Sequence, residues 1–202
     1  MNGLRKLLIT YAEGNAAGQM AEYSIPSFKA YAELHGYDFK PIERYNDQHP
    51  AWQKVYAFQE YLKNYDVVLW IDIDAIILRF DKDISSVFDE TVAFQALAVE
   101  PDKPNCGVWL MRSCEQSFKF LDYLIDISGS FQTPCWEQDA VRLLLGYYEL
   151  DYSRNTILLK EKWNNIHNSV PPEESIIVHF AGRSDQDKIE GLREIAEAGV
   201  LI

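Results

Sequence analysis

The sequence predicts a single-domain α/β fold in which a mostly parallel central sheet is flanked by helices. Short apolar runs alternate with segments of helical periodicity along the chain, and this alternation is typical of α/β proteins. The run at residues 67–71 is apolar throughout, as expected for a strand that is buried on both faces. No repeat or flexible linker divides the 202 residues, so we predict one domain over residues 1–202.

The predicted strands are apolar runs enriched in aliphatic, β-branched and aromatic residues. The first ends at Thr10 and Tyr11, and a loop of small residues at 13–18 follows it. Seven strands are predicted, at residues 4–11, 37–42, 67–71, 92–98, 107–111, 157–159 and 176–180.

The predicted helices combine apolar residues at helical spacing with start and stop signals. The first has Ser24 as its cap, Pro26 in its first turn and Gly36 just beyond its end. Four more are predicted, at residues 52–62, 115–127, 137–145 and 187–198.

The chain is acidic, with 19 Lys and Arg against 31 Asp and Glu residues and a formal net charge of −12. This argues against general binding of nucleic acids or anionic membranes, which requires clustered basic side chains. No stretch approaches the roughly 20 apolar residues of a membrane span, and the first residues lead into a strand rather than a signal peptide. We therefore expect a cytoplasmic protein without a transmembrane anchor. Its three cysteines, which are odd in number and lack metal-type spacing, are expected to be buried free thiols rather than a disulfide scaffold.

Asp72 and Asp74 directly follow the most apolar predicted strand. Side chains two residues apart on a strand face the same way, with Cα atoms about 7 Å apart, so the two carboxylates are expected to converge where the strand ends. Ligands of open α/β sheets bind at the carboxyl ends of strands, and a divalent cation would compensate the two like charges. The alternative is a pair of aspartates that cap a turn.

His179 lies at the end of another apolar strand, predicted at residues 176–180. It could supply a nitrogen ligand to the same ion. A mixed set of oxygen and nitrogen ligands suits Mn²⁺ at least as well as Mg²⁺. On residue pattern alone, a strand-end histidine with a structural hydrogen bond remains the alternative.

Two further polar segments are candidates for ligand contacts. Glu137, Gln138 and Asp139 open a predicted helix, where acidic residues either compensate the helix dipole or act beside a reacting carbon as acid, base or charge stabiliser. Residues 105–107, Asn-Cys-Gly, are predicted to form a tight turn whose amide could bind a ligand hydroxyl.

Together these residues resemble the nucleotide-diphosphate-dependent glycosyltransferases of the GT-A fold, whose Asp-x-Asp motif chelates the metal that bridges the donor phosphates. The sequence is more similar to the retaining group of plant xyloglucan xylosyltransferases and yeast Golgi galactosyl- and mannosyltransferases than to the glycogenin and lipopolysaccharide galactosyltransferase group. The likeness spans residues 4–183. Five segments carry it in order, at residues 29–32 with 35–38, 52–54, 69–75, 105–108 with Arg112, and 179–182.

The resemblance implies a GT-A catalytic domain over the whole chain. Its donor-binding half would cover about residues 1–112 and its acceptor-side half about residues 113–202. Asp74 and His179 would chelate Mn²⁺ or Mg²⁺ directly, and Asp72 would be shared between the metal and the donor ribose.

The resemblance also implies which residues contact the nucleotide-sugar donor. Thr10 and Tyr11 would lie near the nucleobase, and Lys54 and Asn105 would contact the diphosphate or the sugar. The donor-binding residues expected in this way are Thr10, Tyr11, Lys54, Asp72, Asn105, Gly182 and Arg183.

The implied catalytic residues follow the same pattern. Gln138 would lie near the anomeric carbon, with Glu137 and Asp139 around it. Related eukaryotic enzymes place a phosphate-binding lysine five residues after the metal histidine, a position that is Ser184 here. We therefore expect Arg183 to take over, because a guanidinium can bind phosphate with two parallel hydrogen bonds.

The expected reaction is transfer of a hexose, deoxyhexose or pentose from a nucleotide diphosphate, UDP by expectation, to a hydroxyl of a glycan acceptor. Retention is implied by the resemblance alone, and an inverting enzyme could use Glu137 or Asp139 as its base. Two other interpretations are a phosphatase of the haloacid dehalogenase type, which also places two aspartates after a buried strand, and a carbohydrate-binding module. Ala75 after the second aspartate and the position of the motif far from the first strand argue against the phosphatase.

Overall fold

A computed structural model describes residues 3–100, 103–147, 152–166 and 170–199. Its strands are β1 (Lys6–Thr10), β2 (Tyr37–Pro41), β3 (Val67–Ile71), β4 (Ala75–Ile77), β5 (Gln95–Glu100), β6 (Lys103–Arg112), β7 (Thr156–Leu158) and β8 (Ile177–His179). Its α-helices are α1 (Gly14–His35), α2 (Gln53–Tyr61), α3 (Glu115–Ser128), α4 (Glu137–Arg142) and α5 (Asp185–Glu197).

Six of these strands form a central sheet in the order β2-β1-β3-β6-β5-β7. β1 pairs in parallel with β2 and β3, and β5 pairs in parallel with β7. β6 runs antiparallel between β3 and β5. Three of the five pairings are thus parallel, and the predicted α/β fold with a mostly parallel sheet is confirmed.

The core lies on both faces of this sheet, and β3 shows why. All five residues of β3 are buried, and successive side chains point to opposite faces. Val68 and Trp70 belong to the cluster under α2, α3 and α4, whereas Leu69 and Ile71 belong to the cluster under α1. The continuous apolar run predicted this burial on both faces.

The start of α1 differs from the prediction. The helix begins at Gly14 and runs for 22 residues with Pro26 inside it, so the loop predicted at residues 13–18 and the cap at Ser24 are wrong. The Ser24 hydroxyl instead donates to the carbonyl of Ile73 at 2.7 Å, and Ser27 Oγ accepts from the Ile77 amide at 3.1 Å. These buried contacts fasten α1 to the segment after β3, and such tertiary contacts outweigh local propensity.

The segment 105–107 also differs from the prediction, because it lies within β6 rather than in a tight turn. The register between β5 and β6 shifts here, since Leu97 pairs with Trp109 but Ala98 pairs with Asn105. A bulge of this kind bends a strand and redirects its side chains. The Gly107 carbonyl still accepts from the Asp72 amide at 2.8 Å, so the bulge lies directly beside the aspartate motif.

The short strands β4 and β8 form a second, antiparallel sheet that the sequence did not fully predict. β8 was predicted, whereas β4 has only three residues and directly follows the aspartate motif, too close to β3 to be read as a separate strand. In this sheet Ala75 pairs with His179, which brings the end of β8 next to Asp74.

Cys106, Cys114 and Cys135 are free thiols, as predicted. The predicted burial holds for Cys106 but is wrong for Cys114, which is half-buried, and for Cys135, which is exposed. Within the described part of the chain, no helix has the length and apolar character needed to cross a membrane.

Candidate functional site

The aspartate motif forms the turn between β3 and β4. The Ala75 amide donates to the Asp72 carbonyl at 3.1 Å, which closes the turn, and the Phe180 amide donates to the Asp74 carbonyl at 3.0 Å. The two carboxylates therefore converge through a turn rather than along one face of a strand. His179 reaches them from β8.

These three side chains form a group that could hold a metal ion. Their potential ligand atoms, two carboxylate oxygens and an imidazole nitrogen, all lie within 4.8 Å of one another. His179 Nε2 is 3.1 Å from Asp74 Oδ1 and 3.8 Å from Asp72 Oδ2. Two hard oxygen ligands with one imidazole nitrogen fit a divalent cation such as Mn²⁺ or Mg²⁺.

Two neighbours fix the imidazole of His179. Its Nδ1 is 2.9 Å from Oδ1 of Asn164, a side chain that is 1% exposed, and this hydrogen bond leaves Nε2 facing the aspartates. Gly107 leaves room for the ring, because a Cβ at that position would lie 2.2 Å from Cε1 and 2.7 Å from Nδ1 of His179.

The charges around this group shift its protonation equilibria. Burial raises the pKa of Asp74, but the opposing effects of His179 and Lys188 are greater and hold that pKa well below its usual range. Burial lowers the pKa of His179, but Asp74 and then Asp72 raise it above the ordinary value. The two shifts share one cause, because each of these neighbouring groups favours the charged form of the other.

Lys54 is the second buried cation of the site. Its side chain, which extends from α2, pairs with Asp72 Oδ1 at 3.0 Å and with Glu137 Oε1 at 2.9 Å, and it donates to the Cys106 carbonyl at 3.1 Å. Burial lowers the pKa of Lys54, but the carboxylates of Asp72 and Glu137 outweigh this effect and raise it above its usual value. Lys54 therefore stays charged.

Glu137, at the start of α4, is only 3% exposed. Burial raises its pKa even though Lys54 counteracts this effect. Among the described residues, no hydrogen-bond partner is found for its Oε2 atom. One oxygen of this buried carboxylate thus remains available beside the aspartate motif.

These groups line one cavity of about 590 Å³. Its walls come from both halves of the chain. The bulge of β6 and the first turns of α1, α4 and α5 lie around the aspartates. The predicted site residues that line it are Tyr11, Lys54, Asp72, Asp74, Asn105, Glu137, Gln138, His179 and Gly182.

Three predicted residues lie outside this lining. Thr10 is fully buried, and its hydroxyl has no partner among the described residues. Asp139 pairs with Arg142 at 3.3 Å. Arg183 is exposed, and its guanidinium lies over the ring of Phe180 at 5.1 Å.

The amides of the bulge are already engaged within the protein. The Cys106 amide donates to Gln138 Oε1 at 2.9 Å, and the Gly107 amide donates to Asn105 Oδ1 at 2.8 Å. The predicted use of a turn amide to bind a ligand hydroxyl is therefore wrong for these two groups. The Cys106 contact instead joins Gln138 to the strand beside the motif.

Sequence reasoning missed Lys188 and Asn164. Lys188 lines the cavity and pairs with Asp74 Oδ2 at 2.9 Å, although it lies nine residues beyond the histidine, in the first turn of α5. Asn164 contacts His179 from the far side of the ring. No local pattern identifies either residue, because each reaches the site only through the packing of separate elements.

No protein-family model matches this sequence, and a search of curated proteins gives no match. Solved structures do match. A glycosyltransferase involved in the glycosylation of the major capsid of PBCV-1 superposes with a TM-score of 0.74 at 16% identity, over 94% of this chain and 99% of that chain. The chain has a glycosyltransferase fold.

Two larger enzymes share the same fold. The glycosyltransferase GlyE of Streptococcus pneumoniae TIGR4 matches with a TM-score of 0.66 at 16% identity, over 98% of this chain and 62% of that chain. The bifunctional glycosyltransferase WbbM matches with a TM-score of 0.62 at 13% identity, over 98% of this chain and 52% of that chain. The chain thus spans about half to three-fifths of the length of these two proteins.

Proposed function

We propose that this protein is a metal-dependent glycosyltransferase that moves a sugar from a nucleotide diphosphate donor to a hydroxyl of a glycan acceptor. The observation that carries the proposal is the group formed by Asp72, Asp74 and His179 at the cavity of a glycosyltransferase fold. The donor we expect is a UDP-sugar carrying a hexose, deoxyhexose or pentose. We place the protein with the retaining xylosyl-, galactosyl- and mannosyltransferases that its motifs resemble.

In this proposal Asp72, Asp74 and His179 hold Mn²⁺ or Mg²⁺. The ion, when bound, acts as a Lewis acid that neutralises charge on the departing diphosphate. Asn164 keeps the Nε2 atom of His179 directed at the ion, and Lys54 balances the charge of Asp72. The buried Lys54 also presents a fixed positive charge close to the phosphates.

The donor would extend along the cavity wall. Tyr11, directly after β1, lines the cavity and would provide an aromatic face for the nucleobase. The buried Thr10 is assigned to the same region by the sequence resemblance alone. Asn105 and Gly182 also line the cavity, and we assign them to the diphosphate and the sugar of the donor. Arg183 is assigned to the phosphates by the sequence pattern alone.

The start of α4 would face the reacting carbon. Gln138 and Glu137 both line the cavity, and Oε2 of Glu137 is free to accept a hydrogen bond from a sugar hydroxyl. Asp139 lies beside them and orients Arg142. With retention, the departing phosphate and Gln138 would flank the anomeric carbon, whereas an inverting reaction would require Glu137 or Asp139 as the base.

The whole chain would act as one catalytic domain. Residues 1–112 would bind mainly the donor, and residues 113–202 would face mainly the acceptor. His179 and Gly182 belong to the second half by sequence. They would nevertheless act with the donor-binding half, because β8 pairs with β4.

A thermal-shift screen tests this proposal. Nucleotide diphosphates and their sugars are added with and without Mn²⁺, because a ligand that binds only the native state raises its apparent stability. We expect UDP or a UDP-sugar to stabilise the protein only when Mn²⁺ is present. Absence of metal-dependent stabilisation by every nucleotide would contradict the proposal.

Activity assays separate the rival functions. Metal-dependent hydrolysis of a UDP-sugar without acceptor distinguishes a transferase from a binding module, and an NMR assignment of the product anomer distinguishes retention from inversion. Hydrolysis of simple phosphate monoesters but not of UDP-sugars would favour the phosphatase.

A further inference from the structure

The ammonium group of Lys188 contacts the carboxylate of Asp74, which is one of the proposed metal ligands. Its ammonium lies 2.9 Å from Oδ2 of Asp74, while Oδ1 of the same carboxylate faces Nε2 of His179 at 3.1 Å. Both oxygens of Asp74 are therefore engaged by nitrogen donors of this chain. The pair is largely buried, with exposed side-chain fractions of 19% for Lys188 and 13% for Asp74.

The backbone that carries Lys188 is firmly anchored. Leu192, one turn further along α5, is fully buried in the cluster between α1 and α5. Gly191 lets the helix pack closely on Phe180, since a Cβ there would lie 2.2 Å from its ring. Ser184 caps the helix by accepting from the Asp187 amide at 3.2 Å. Lys188 can therefore change partners only by moving its flexible side chain.

A divalent cation held by Asp74 would lie next to this ammonium. Two cations a few ångströms apart in a partly buried site repel each other strongly, so full occupancy by both is unfavourable. Lys188 lines the cavity together with Gly182 and Asp185, so its side chain has room to leave Asp74 and remain within the site.

The charge balance indicates where the ammonium goes. Among the ion-paired groups beside the metal ligands, Asp72, Asp74 and Glu137 contribute three negative charges, and Lys54 and Lys188 contribute two positive charges. The further acidic residues Glu13, Glu100 and Asp185 line the rest of the cavity and lie outside this balance. A divalent ion would make the inner group of charges net positive when His179 is neutral, and an anionic diphosphate would restore its neutrality.

We propose that Lys188 is an exchangeable cation: it holds Asp74 in the metal-free protein, leaves it when a divalent ion binds, and then donates hydrogen bonds to the diphosphate of the donor. The inference rests on the proposed function, because it names the group that couples metal binding to donor binding at the same site. It predicts that Lys188 opposes the metal when no nucleotide is present and supports the nucleotide once the metal is bound.

The variant Lys188→Gln separates these two effects. Without the competing ammonium, the dissociation constant of Mn²⁺ alone should fall by about tenfold, and the dissociation constant of UDP at saturating Mn²⁺ should rise by about tenfold, the size expected for one charge-assisted hydrogen bond. Isothermal titration calorimetry measures both constants on the full chain. Opposite shifts from one substitution are the expected signature.

Arg193→Gln is the matched control. It removes a cation of the same charge from the same helix, but Arg193 is exposed and is not among the residues that line the cavity. Both dissociation constants should stay within twofold of wild type. Lys188→Arg, which keeps the charge, should restore weaker Mn²⁺ binding and much of the UDP affinity.

Several outcomes would overturn the inference. If Lys188→Gln changes neither constant, or weakens both together with a lower thermal midpoint, Lys188 only holds α5 in place. If Arg183→Gln and not Lys188→Gln weakens UDP binding, the phosphate-binding role belongs to Arg183. Wild-type protein that binds Mn²⁺ but shows no Mn²⁺-dependent UDP binding would instead contradict the proposed function, and wild-type protein that binds no Mn²⁺ would overturn both.

Discussion

Within the described part of the chain, a largely buried cluster of charge around Asp83 can be compared with the one around the cavity, and the two differ in how completely their groups are paired. Asp83 accepts hydrogen bonds from Lys6 Nζ at 2.6 Å, Tyr37 Oη at 2.7 Å, and the amide and hydroxyl of Ser85 at 2.9 and 2.7 Å. Its four donors come from β1, β2 and the turn that Asp83 itself caps. This cluster is complete without any ligand.

The cavity cluster is paired less completely. Asp72, Asp74 and Glu137 share the two cations Lys54 and Lys188, and Oε2 of Glu137 has no partner among the described residues. Burying such a group costs free energy that a ligand can recover. Buried charge alone therefore does not mark a functional site, whereas buried charge with spare bonding capacity does.

The largest expected effect comes from removing the cation that holds the cavity cluster together. Lys54→Met leaves the carboxylates of Asp72 and Glu137 without their shared partner, and breaking a buried pair in this way costs about 3–5 kcal/mol. We expect that loss in the free energy of unfolding, measured by urea denaturation. The double variant Lys54→Met, Glu137→Gln should recover part of it, and a single variant as stable as wild type would contradict this interpretation.

The next effect concerns the space for the imidazole. Gly107→Ala places a Cβ against His179, so the ring must shift away from the aspartates. We expect the affinity for Mn²⁺ to fall by about 100-fold, the upper range for a disturbed metal ligand, as measured by calorimetric titration. Gly18→Ala is the control, because a Cβ there meets nothing within 4 Å, and equal losses in both variants would contradict the steric argument.

The Asp83 cluster should affect stability but not binding. Asp83→Asn leaves Lys6 without its carboxylate, and we expect a loss of about 2 kcal/mol in the free energy of unfolding at neutral pH with unchanged Mn²⁺ affinity. Asp81→Asn is the control, because Asp81 forms an exposed pair with Arg79 that contributes little. An altered Mn²⁺ affinity in Asp83→Asn would contradict the conclusion that the Asp83 cluster has no part in metal binding.

The same aspartate predicts a pH dependence. Burial raises the pKa of Asp83, but hydrogen bonds from Lys6, Ser85 and Tyr37 lower it below its ordinary value. A lowered pKa contributes stability that is complete above the ordinary value and is lost as the pH falls through the lowered one. The stability difference between wild type and Asp83→Asn should therefore shrink on acidification, as measured by urea denaturation across this range, and a constant difference would contradict it.

The smallest effect should come from the residue behind the metal ligand. Asn164→Ala removes the oxygen that accepts from Nδ1 of His179, and we expect about tenfold weaker Mn²⁺ binding. Without metal and at a pH where the ring is neutral, the ¹⁵N chemical shifts of His179 should show a mixture of tautomers in this variant. Asn164→Asp keeps an acceptor and should keep one tautomer, so identical spectra for Ala and Asp would argue against a positioning role.

The sequence predicted the parts of the site that follow buried strands. Asp72, Asp74 and His179 each lie at the end of an apolar run, and strand ends meet at the same edge of a sheet. The geometry differs in detail, because β4 turns the second aspartate toward β8 instead of continuing β3. A three-residue strand carries too little pattern to be recognised alone.

The rest of the site depends on contacts between distant elements, which local patterns do not encode. Lys188 reaches the cavity only because α5 packs on Phe180. Asn164 reaches the back of His179 only because the turn that ends in Asn164 lies against β8. The same reason explains why the predicted start of α1 is wrong. The Ser24 hydroxyl donates to the Ile73 carbonyl and does not cap the helix. Tertiary packing decided each of these cases against the local signal.

The division of the metal ligands between two sheets has a consequence for local opening. Asp72 follows β3, at the centre of the large sheet, where amides exchange only through extensive unfolding, whereas His179 ends a three-residue strand in a two-stranded sheet, which can open at lower free energy. A ligand bound by both must hold the small sheet closed. Occupancy of the cavity should therefore slow amide exchange more in β4 and β8 than in β3.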